Sequence, residues 1–356
     1  MSTSPAPTPR PTLEHTLDLA RRAIEVAKTE LAEARIRRAA IGAVLVKGFP
    51  GSRIYVNGSV AHGDALTPLA DIDLGVVVDD PDGLYGPGGR GPGELKQRAA
   101  AALRSGLKPT YGDLAVEVKG RKRSILIRFR DPVAPGRPDF TADVIVAIPN
   151  PSAAGLYIPR YDSWDRSDPE RHTELVLAAI AATEVAYARI VRLLKHWSRQ
   201  HDKPVCSWHI KALSLDIITA PTALVAGLRQ WFSEAADELA AGDTEDPARV
   251  SDKPLKTNIP RTEVVRMFRD AAARLERAIS LEEDGYHLLA VDELAKLFND
   301  QDMLPRPDQA AVAGQEAARL TAEKIRDSKK VGASSLLTGV GAGAGRPRSN
   351  VRSWAP

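Results

Sequence analysis

The 356-residue sequence predicts an α+β protein, in which a mixed sheet flanked by helices is followed by a helical domain. Two observations predict this fold class. Short apolar runs bounded by turn residues, which are typical of strands, lie between residues 53 and 148. From Ser167 onward, apolar residues recur at helical spacing. A chain of this length can build two domains, each with its own core.

The composition indicates a globular protein of the cytoplasm. Hydrophobic residues make up 43% and charged residues 27% of the chain, and the net charge of +3 does not by itself argue for nucleic-acid binding. The single cysteine, Cys206, excludes an internal disulfide and a zinc ribbon, which suits a reducing compartment. The sequence has no apolar run of about 18 residues and no signal-peptide pattern, so we expect no membrane association.

The N-terminal part of the chain is predicted to be disordered and then helical. Residues 1–11 are rich in Pro, Ser and Thr, which predicts disorder. From Thr12 to about Val46, apolar residues recur at helical spacing, which predicts one long helix or two joined helices. We assign residues 12–165 to the first domain.

Residues 53–79 carry the strongest chemical signal. An apolar strand leads into a Gly58-Ser59 turn and a short helix, and a second strand then begins at Asp71. Because side chains alternate along a strand, Asp71 and Asp73 lie on one face. Two neighbouring carboxylates repel each other, and a cation that prefers oxygen ligands, such as Mg²⁺, relieves the repulsion.

The Gly-Ser turn adds the second half of a phosphate site. Gly58 lets the backbone approach a phosphate closely, and Ser59 offers a hydroxyl and an N–H group at the start of a helix. Together with the Asp-x-Asp strand, this is the layout of two-metal nucleotidyl transfer, in which metals activate a hydroxyl and hold a triphosphate. The alternative is a surface turn followed by a strand with solvated aspartates.

The rest of the first domain is predicted from its turns and its alternation. The Gly/Pro-rich loop of residues 79–93 is either a lid or, as we favour, a surface insertion, and a helix follows at Glu94–Leu107. Leu114–Lys119 and Ser124–Arg130 form a strand pair, and Asp139–Ile148 is the next strand. The pair carries a basic cluster that contacts phosphates or nucleic acid or, as we favour, is a solvated hairpin tip: Lys119, Arg121, Lys122, Arg123, Arg128 and Arg130.

After a linker at residues 150–164, the chain is predicted to be helical. Ser167 caps a first helix, which ends near Asp202, and a second helix begins near Ser207. We assign residues 166–330 to the helical domain. Further helices are predicted near residues 222–241, 262–282, 286–299 and 306–328, before a flexible, Gly/Ala/Ser/Arg-rich tail at residues 331–356.

Gly58, Ser59, Asp71 and Asp73, at their spacing, resemble the motif of the polymerase-β-like nucleotidyltransferase superfamily. The resemblance implies a third carboxylate on a neighbouring strand. Asp143 heads an apolar strand of the right form, so it is the candidate that would complete the catalytic metal site and act as general base. The alternative for Asp143 is a strand-end aspartate that caps a turn.

The helical segment narrows the resemblance to the CD-NTases, the cGAS/DncV-like bacterial relatives of cyclic GMP–AMP synthase and 2′-5′-oligoadenylate synthetase. It carries Asp-Pro-x-x-His from Asp168, Leu-Leu-Lys-x-Trp from Leu193 and Ser-Trp-His-Ile-x-x-Leu from Ser207. The resemblance spans about residues 48–300. It implies an active site in the cleft between the two domains, with Lys195 and Ser207 on the donor triphosphate.

Some residues of these motifs have another interpretation or depart from the family. The alternative for Lys195 is a solvated lysine on an amphipathic helix, and Trp197 and Trp208 are expected in the core. Many CD-NTases continue their turn as Gly-Ser-x-x-Arg-Gly-Thr, whereas this chain has His62 and Asp64 in place of Arg and Thr. The departures do not touch the metal ligands but affect the fine structure of the phosphate turn.

The resemblance implies a bacterial enzyme that joins NTPs, ATP among them, into a cyclic di- or trinucleotide for anti-phage (CBASS) signalling. The bonds formed would be 3′-5′ or 2′-5′ phosphodiesters, with release of pyrophosphate. The expected metal is Mg²⁺, with Mn²⁺ as a substitute. Expected partners are the NTP substrates, a downstream cyclic-nucleotide effector and a regulatory protein, and neither a membrane nor a nucleic acid is required.

Two other functions stay open. The same chemistry would serve an RNA-tailing or tRNA-modifying enzyme, or a toxin that nucleotidylates a protein, and a strongly basic groove would support that class. The chain would otherwise be a catalytically silent nucleotide-binding scaffold. Such proteins usually lose a metal carboxylate, whereas the three candidates are present here.

Overall fold

The computed structural model describes residues 12–338, so the expectations for residues 1–11 and 339–356 lie outside the described residues. Of the described residues, 12–306 form one compact unit and 307–338 belong to a second. The described part of the second unit is a single helix that ends at Thr338, so residues 331–338 are helical rather than the expected flexible tail. Within the described residues, we find no helix whose length and hydrophobicity would allow it to cross a membrane.

The helices and strands alternate in the first half of the chain and give way to helices alone in the second. In chain order they are α1 (Leu13–Ala23), α2 (Lys28–Gly48), β1 (Arg53–Asn57), α3 (Gly58–Ala61), β2 (Asp71–Val77), α4 (Gly91–Tyr111), β3 (Ala115–Glu117), β4 (Ile125–Arg128), β5 (Thr141–Pro149), β6 (Leu156–Arg160), β7 (Ser163–Ser167), α5 (Pro169–Ala182), α6 (Ala186–Gln200), α7 (Ser207–Ile217), α8 (Leu224–Ala241), α9 (Arg261–Glu283), α10 (His287–Phe298) and α11 (Gln309–Thr338).

The strands form one mixed sheet. Its order is β1-β2-β5-β4-β3, and β6 and β7 continue it from the end of β5. β2 and β5 run parallel with Asp73 opposite Asp143, and β1 runs antiparallel to β2 with Asn57 opposite Asp73. The register therefore brings the turn at Gly58 and the carboxylate of Asp143 to the two sides of Asp73.

Two apolar clusters divide the first unit into a sheet lobe (residues 28–167) and a helical lobe (α1 with α5–α10). The sheet cluster packs the strands against α2 and α4, and it includes Leu74 and Leu103. The helical cluster includes Phe268, whose ring contacts those of Trp197 and Trp231. Full burial of a large apolar side chain contributes about 1.5–3 kcal/mol, so each lobe has a core of its own.

Helix α1 packs in the helical lobe, although we assigned it with residues 12–165 to the first domain. Leu13 and Leu17 are buried in the helical cluster. The Glu14 carboxylate accepts hydrogen bonds of 2.7 and 2.9 Å from two backbone N–H groups at the start of α8. A carboxylate at that end of a helix also interacts favourably with the helix dipole.

The structure corrects the prediction for residues 150–164, which we expected to be a linker. They contain β6 and the start of β7, a hairpin that extends the sheet from β5. Leu156 and Ile158 on one face of β6 are buried against Tyr55. Two alternating apolar residues are too few to predict a strand from sequence.

The helical region also differs from its prediction. Asp168, and not Ser167, caps α5, because its side chain accepts a hydrogen bond of 2.8 Å from the Arg171 N–H. The predicted first helix is two helices, α5 and α6. Between them, Glu184 and Val185 have φ values of 49° and 67°, which a right-handed helix does not allow. Neither Gly nor Pro marks this break in the sequence.

Candidate active site

A cleft between the sheet lobe and the helical lobe collects the polar residues that the sequence singled out. Its volume is about 1260 Å³, above the usual range of about 300–1,000 Å³ for a pocket that holds one small ligand. Except for Asp143, the predicted site residues line it: Gly58, Ser59, Asp71, Asp73, Lys195 and Ser207. Asp143 lies next to Asp73 on the neighbouring strand.

The carboxylate of Asp73 lies at the centre of the acidic side of the cleft. Burial raises the pKa of Asp73 to about 6, and the negative charges of Asp71 and Asp143 add to the shift. The charges of Lys211 and Lys195 oppose this shift but do not cancel it. Asp71 and Asp73 share one face of β2, so their oxygens fit the ligand preference of a divalent cation.

Asp143 is held by other groups. Its Oδ1 accepts hydrogen bonds from Arg121 Nη2 at 2.7 Å and from Ser124 Oγ at 2.6 Å. Among residues 12–338, no three His, Cys, Asp or Glu side chains are arranged to hold a metal ion together. The carboxylates of Asp71 and Asp73 have the donor chemistry of a metal site, whereas the carboxylate of Asp143 is hydrogen-bonded to Arg121 and Ser124.

The turn at Gly58 lies directly against the acidic cluster. Gly58 has a φ of +82°, and a Cβ at this position would overlap with the carboxylate of Asp73. Both facts require glycine here. The Asn57 side chain accepts a 2.7 Å hydrogen bond from the Gly58 N–H at the start of α3, and Ser59 lines the cleft.

A buried ion cluster joins the segment after this turn to the helical lobe. Asp64 is fully buried. Lys195 Nζ donates a 2.6 Å hydrogen bond to its Oδ1, and Lys211 Nζ lies 2.9 Å from the other oxygen. Burial alone would raise the pKa of Asp64, but the charges of Lys211 and Lys195 outweigh it and lower that pKa. Burial lowers the pKa of Lys195 to about 8, although Asp64 opposes the shift.

His62 completes the cluster as a neutral side chain. Lys211 Nζ donates to its Nδ1 at 2.7 Å, so we assign the ring proton to Nε2, which lies 3.2 Å from Thr173 Oγ1. Burial, and then the charge of Lys211, lower the pKa of His62 to about 3. His62 and Asp64 are the two departures from the common CD-NTase pattern, and here both are partners of the buried lysines.

The surroundings of Lys195 exclude one of its two interpretations. Lys195 is buried and bonded to Asp64, so the solvated lysine is wrong. Its contact with a triphosphate stays a prediction. Ser207 is the exposed first residue of α7 and faces the same cleft, and its phosphate contact also stays a prediction.

Two cationic residues on the helical-lobe side of the cleft were not predicted from the sequence. Lys211 follows Ser207 by one helical turn, and Arg199 follows Lys195 by one turn, and both line the cleft. The spacing of four residues on a helix was the signal that could have found them. Burial lowers the pKa of Arg199, and the charge of Asp71 opposes that shift.

The two tryptophans predicted for the core have different surroundings. Trp197 is buried in the helical cluster, as predicted. Trp208 is only partly buried: it packs against the helical cluster, as predicted, but it also lines the cleft. Its ring lies 4.3 Å from that of His172, whose Nε2 is 2.6 Å from Asp246 Oδ1. The His172–Asp246 pair thus supports an aromatic face beside the cleft.

The basic cluster near the β3–β4 turn divides into two groups. Arg128 and Arg130 form exposed ion pairs, as expected of a solvated surface. Arg121, Lys122 and Arg123 line the cleft instead. In total, ten Lys and Arg and five Asp side chains line it. The cleft is therefore basic, although the net charge of the whole chain is only +3.

The Gly/Pro-rich loop of residues 79–93 does not line this cleft. The Asp80 carboxylate accepts hydrogen bonds from the N–H groups of Tyr85 and Gly86 and folds the loop on itself. The loop thus has the position of a surface insertion rather than of a lid.

No protein-family model and no curated protein sequence matches the chain. Solved structures do match it. Escherichia coli MS115-1 CdnC with ATP is 16% identical, with a TM-score of 0.61 over 82% of this chain and 99% of that chain. The Elizabethkingia meningoseptica CdnE cyclic dinucleotide synthase, with GTP and Apcpp, is 22% identical, with a TM-score of 0.55 over 74% and 99%.

The Vibrio cholerae DncV cyclic AMP-GMP synthase, a prokaryotic cGAS homolog, is 13% identical, with a TM-score of 0.53 over 80% of this chain and 87% of that chain. At these identities the likeness shows the fold. The chain has the fold of the solved CD-NTases, a mixed sheet flanked by helices and followed by a C-terminal helical region. The predicted fold class is confirmed.

The substitution Asp64→Asn should destabilise the protein by about 3–5 kcal/mol, because it leaves two buried lysines without their counter-charge. Urea unfolding measures the loss. The matched control is Glu94→Gln, which removes one carboxylate from the exposed pair with Arg90 and should cost less than about 1 kcal/mol. A loss for Asp64→Asn as small as that of the control would contradict the role of the buried cluster.

The substitution Asp73→Asn should stabilise the metal-free protein at neutral pH. The pKa of Asp73 is about 6 in the folded protein and about 3.9 in an unfolded chain, so the native carboxyl binds a proton more tightly. The loss of folding stability caused by the ionised Asp73 carboxylate is absent below about pH 4, grows up to about pH 6 and is fully present above about pH 6. Thermal unfolding in EDTA at several pH values should show a Tm gain that grows over this interval.

The control for that measurement is Asp165→Asn. Burial raises the pKa of Asp165, but Lys253 and Arg123 outweigh it and lower the pKa. This variant should therefore lose stability at neutral pH, and the loss should shrink in acid. If both variants shift Tm in the same direction at neutral pH, the strained environment of Asp73 is refuted.

Proposed function

We propose that the protein is a metal-dependent nucleotidyltransferase that joins NTPs into a cyclic di- or trinucleotide, a bacterial second messenger in CBASS defence. One observation carries the proposal. The buried carboxyl of Asp73, whose pKa is raised, lies between Asp71, Asp143 and the turn at Gly58, at the floor of a cleft with basic walls. A carboxylate floor and cationic walls are the complement of a metal-bound triphosphate.

The residues take separate roles in the transfer. Asp71 and Asp73, joined by Asp143, would hold Mg²⁺ or Mn²⁺, which would polarise the reacting phosphate and acidify the attacking hydroxyl. Gly58 and Ser59 bind donor phosphates through the turn. Opposite them, the cationic and N-terminal helix groups of the helical lobe bind the same phosphates: Lys195, Arg199, Ser207 and Lys211.

The reaction is a substitution at the α-phosphorus. The ribose hydroxyl oxygen of the acceptor forms a bond to that phosphorus, the bond to the β-phosphate oxygen breaks, and pyrophosphate leaves. Asp143 takes the hydroxyl proton as general base. For a dinucleotide, a second transfer between the same two nucleotides, with their roles exchanged, closes the ring and releases a second pyrophosphate. For a trinucleotide, a third nucleotide is joined in the same way before the ring closes.

Two features of the cleft support small nucleotides as both donor and acceptor. Its volume exceeds that of a pocket for one small ligand. The rings of Trp164 and Trp208 line it, and aromatic rings of this kind stack on bases. Among the structural neighbours, CdnC was solved with ATP and CdnE with GTP and Apcpp, which supports NTPs as ligands. On this proposal the enzyme works in the cytoplasm with a downstream effector and a regulatory protein.

A second candidate is nucleotidyl transfer to an RNA, tRNA or protein acceptor. The twofold excess of cationic over acidic side chains in the cleft favours it, because a polyanionic acceptor is bound through Lys and Arg. The two candidates share the donor site and differ in the size of the product.

Incubation of the purified protein with the four NTPs and Mg²⁺ or Mn²⁺, then phosphatase and mass spectrometry, tests the proposal. We expect cyclic species that resist phosphatase and that are absent with Asp71→Ala/Asp73→Ala. The matched control, Asp113→Ala/Glu117→Ala, removes two partly or fully exposed carboxylates from the same lobe and should keep the activity.

The other outcomes separate the alternatives. Release of pyrophosphate without a small product would move the assignment to a macromolecular acceptor. Binding of nucleotide without turnover, under each metal and NTP combination, would contradict the cyclic product. The same result after RNA and protein acceptors are added would contradict both candidates and leave a silent scaffold.

A further inference from the structure

The ion pair between Arg121 and Asp143 has no role in the transfer described above. Arg121 lies at the turn between β3 and β4, directly after Gly120, and its side chain reaches across to β5. Its Nη2 is 2.7 Å from Asp143 Oδ1 and 3.4 Å from Ser124 Oγ. Ser124 Oγ donates a 2.6 Å hydrogen bond to the same carboxylate oxygen. Asp143 is therefore bound to its own lobe by two donors.

This pair lies beside the acidic cluster. Asp143 and Asp73 face each other in the register of β5 and β2, and Asp71 and Asp143 both raise the pKa of Asp73. Arg121 thus supplies a positive charge at the point where three carboxylates converge. It is a guanidinium, which binds a carboxylate as a charge-assisted hydrogen-bond donor and competes there with a metal ion.

The exposure of the Arg121 side chain allows it to move away from Asp143. About a third of its side chain is exposed (35%), and it lines the cleft. An ion pair that water reaches is weak and is readily exchanged for another partner. A divalent cation beside Asp143 carries twice the charge of the guanidinium, so electrostatics favours the exchange once such a cation is bound at Asp71 and Asp73.

We propose that Arg121 is a positioning residue that competes with the metal ion for Asp143: it holds this carboxylate outside the metal site and releases it when a divalent cation binds. The proposal rests on the proposed function only in that Asp71 and Asp73 bind the metal. The displaced guanidinium stays at the wall of the cleft, where donor phosphates bind. Because coupling is reciprocal, metal and triphosphate then favour the same displacement.

The opposite role is equally well defined. If Arg121 kept one oxygen of Asp143 in place while the metal took the other, it would support metal binding. Its removal would then weaken the binding of the metal, whereas the removal of a competitor strengthens it. The sign of the change in metal affinity separates the two roles. Removal of an arginine with only a structural role would leave the metal affinity unchanged.

The test is the binding of Mn²⁺ to the full chain in the absence of nucleotide. The concentration of free Mn²⁺ is measured by electron paramagnetic resonance. Arg121→Gln should bind Mn²⁺ about three- to tenfold more tightly than the wild type, because metal binding to this variant does not have to break the ion pair with Asp143. The matched control is Arg123→Gln on the same hairpin, whose partner is Asp165 at 3.0 Å. It removes the same charge from the cleft and should change the affinity by less than about twofold.

A double-mutant cycle isolates the pair. In the Asp143→Asn background, Arg121→Gln should leave the Mn²⁺ affinity unchanged, because there is no carboxylate to release. Thermal melts confirm that each variant is folded, and Arg121→Ala repeats the test if the glutamine variant unfolds. Equal effects of Arg121→Gln and Arg123→Gln, or a weaker affinity in Arg121→Gln, would overturn the proposal.

The failure of this inference is distinguishable from that of the proposed function. The binding experiment contains no NTP, so its result does not depend on which product the enzyme makes. If the wild type and Asp71→Ala/Asp73→Ala bind Mn²⁺ equally, the metal site itself is wrong and the competition is overturned with it. If the wild type binds Mn²⁺ at this site and Arg121→Gln binds it more tightly, the inference stands even where no cyclic product forms.

Discussion

One buried carboxylate, that of Asp64, ties the two lobes of the first unit together. It lies in the segment that follows the Gly58 turn, and its two partners, Lys195 and Lys211, belong to α6 and α7. Arg192 of α6 strengthens the same junction through hydrogen bonds to backbone carbonyls next to Asp64. Charges removed from water require their partners. The width of the cleft, and with it the distance from the turn to the cations of the helical lobe, therefore depends on this cluster.

The opposed charges of the cleft follow from this junction. Its floor carries carboxylates that are destabilised by burial and by one another, and its walls carry an excess of Lys and Arg. Neither side neutralises the other fully. The register of β2 and β5 places Asp73 and Asp143 side by side, and the nearby lysines, Lys195 and Lys211, are paired with Asp64 instead. A metal ion would neutralise the floor and a polyphosphate would neutralise the walls. The unbalanced charges of the cleft are thus a physical reason for the proposed metal-bound nucleotide.

The sequence predicted the fold class and the floor of the site because both depend on local patterns. Strand alternation placed Asp71 and Asp73 on one face, and a glycine before a helix marked the turn at Gly58, which the structure shows to be sterically required. The residues of the cleft wall were harder to predict from sequence. Trp208 and Lys211 line the cleft because their face of the helix meets the sheet lobe, and helical spacing alone does not show which face does so. The pairing of Asp64 with lysines 131 and 147 residues away is likewise invisible in a local pattern.

The most direct measurement of the proposed site is a crystal structure of the protein with Mn²⁺ and an ATP analogue that carries a non-hydrolysable α,β-methylene bridge. Anomalous scattering locates the metal independently of the nucleotide. We predict a manganese peak at Asp71 and Asp73 and the phosphates against Gly58 and Ser59. A manganese peak elsewhere, or a triphosphate bound away from this turn, would contradict the assignment of the cleft as a nucleotidyltransferase site.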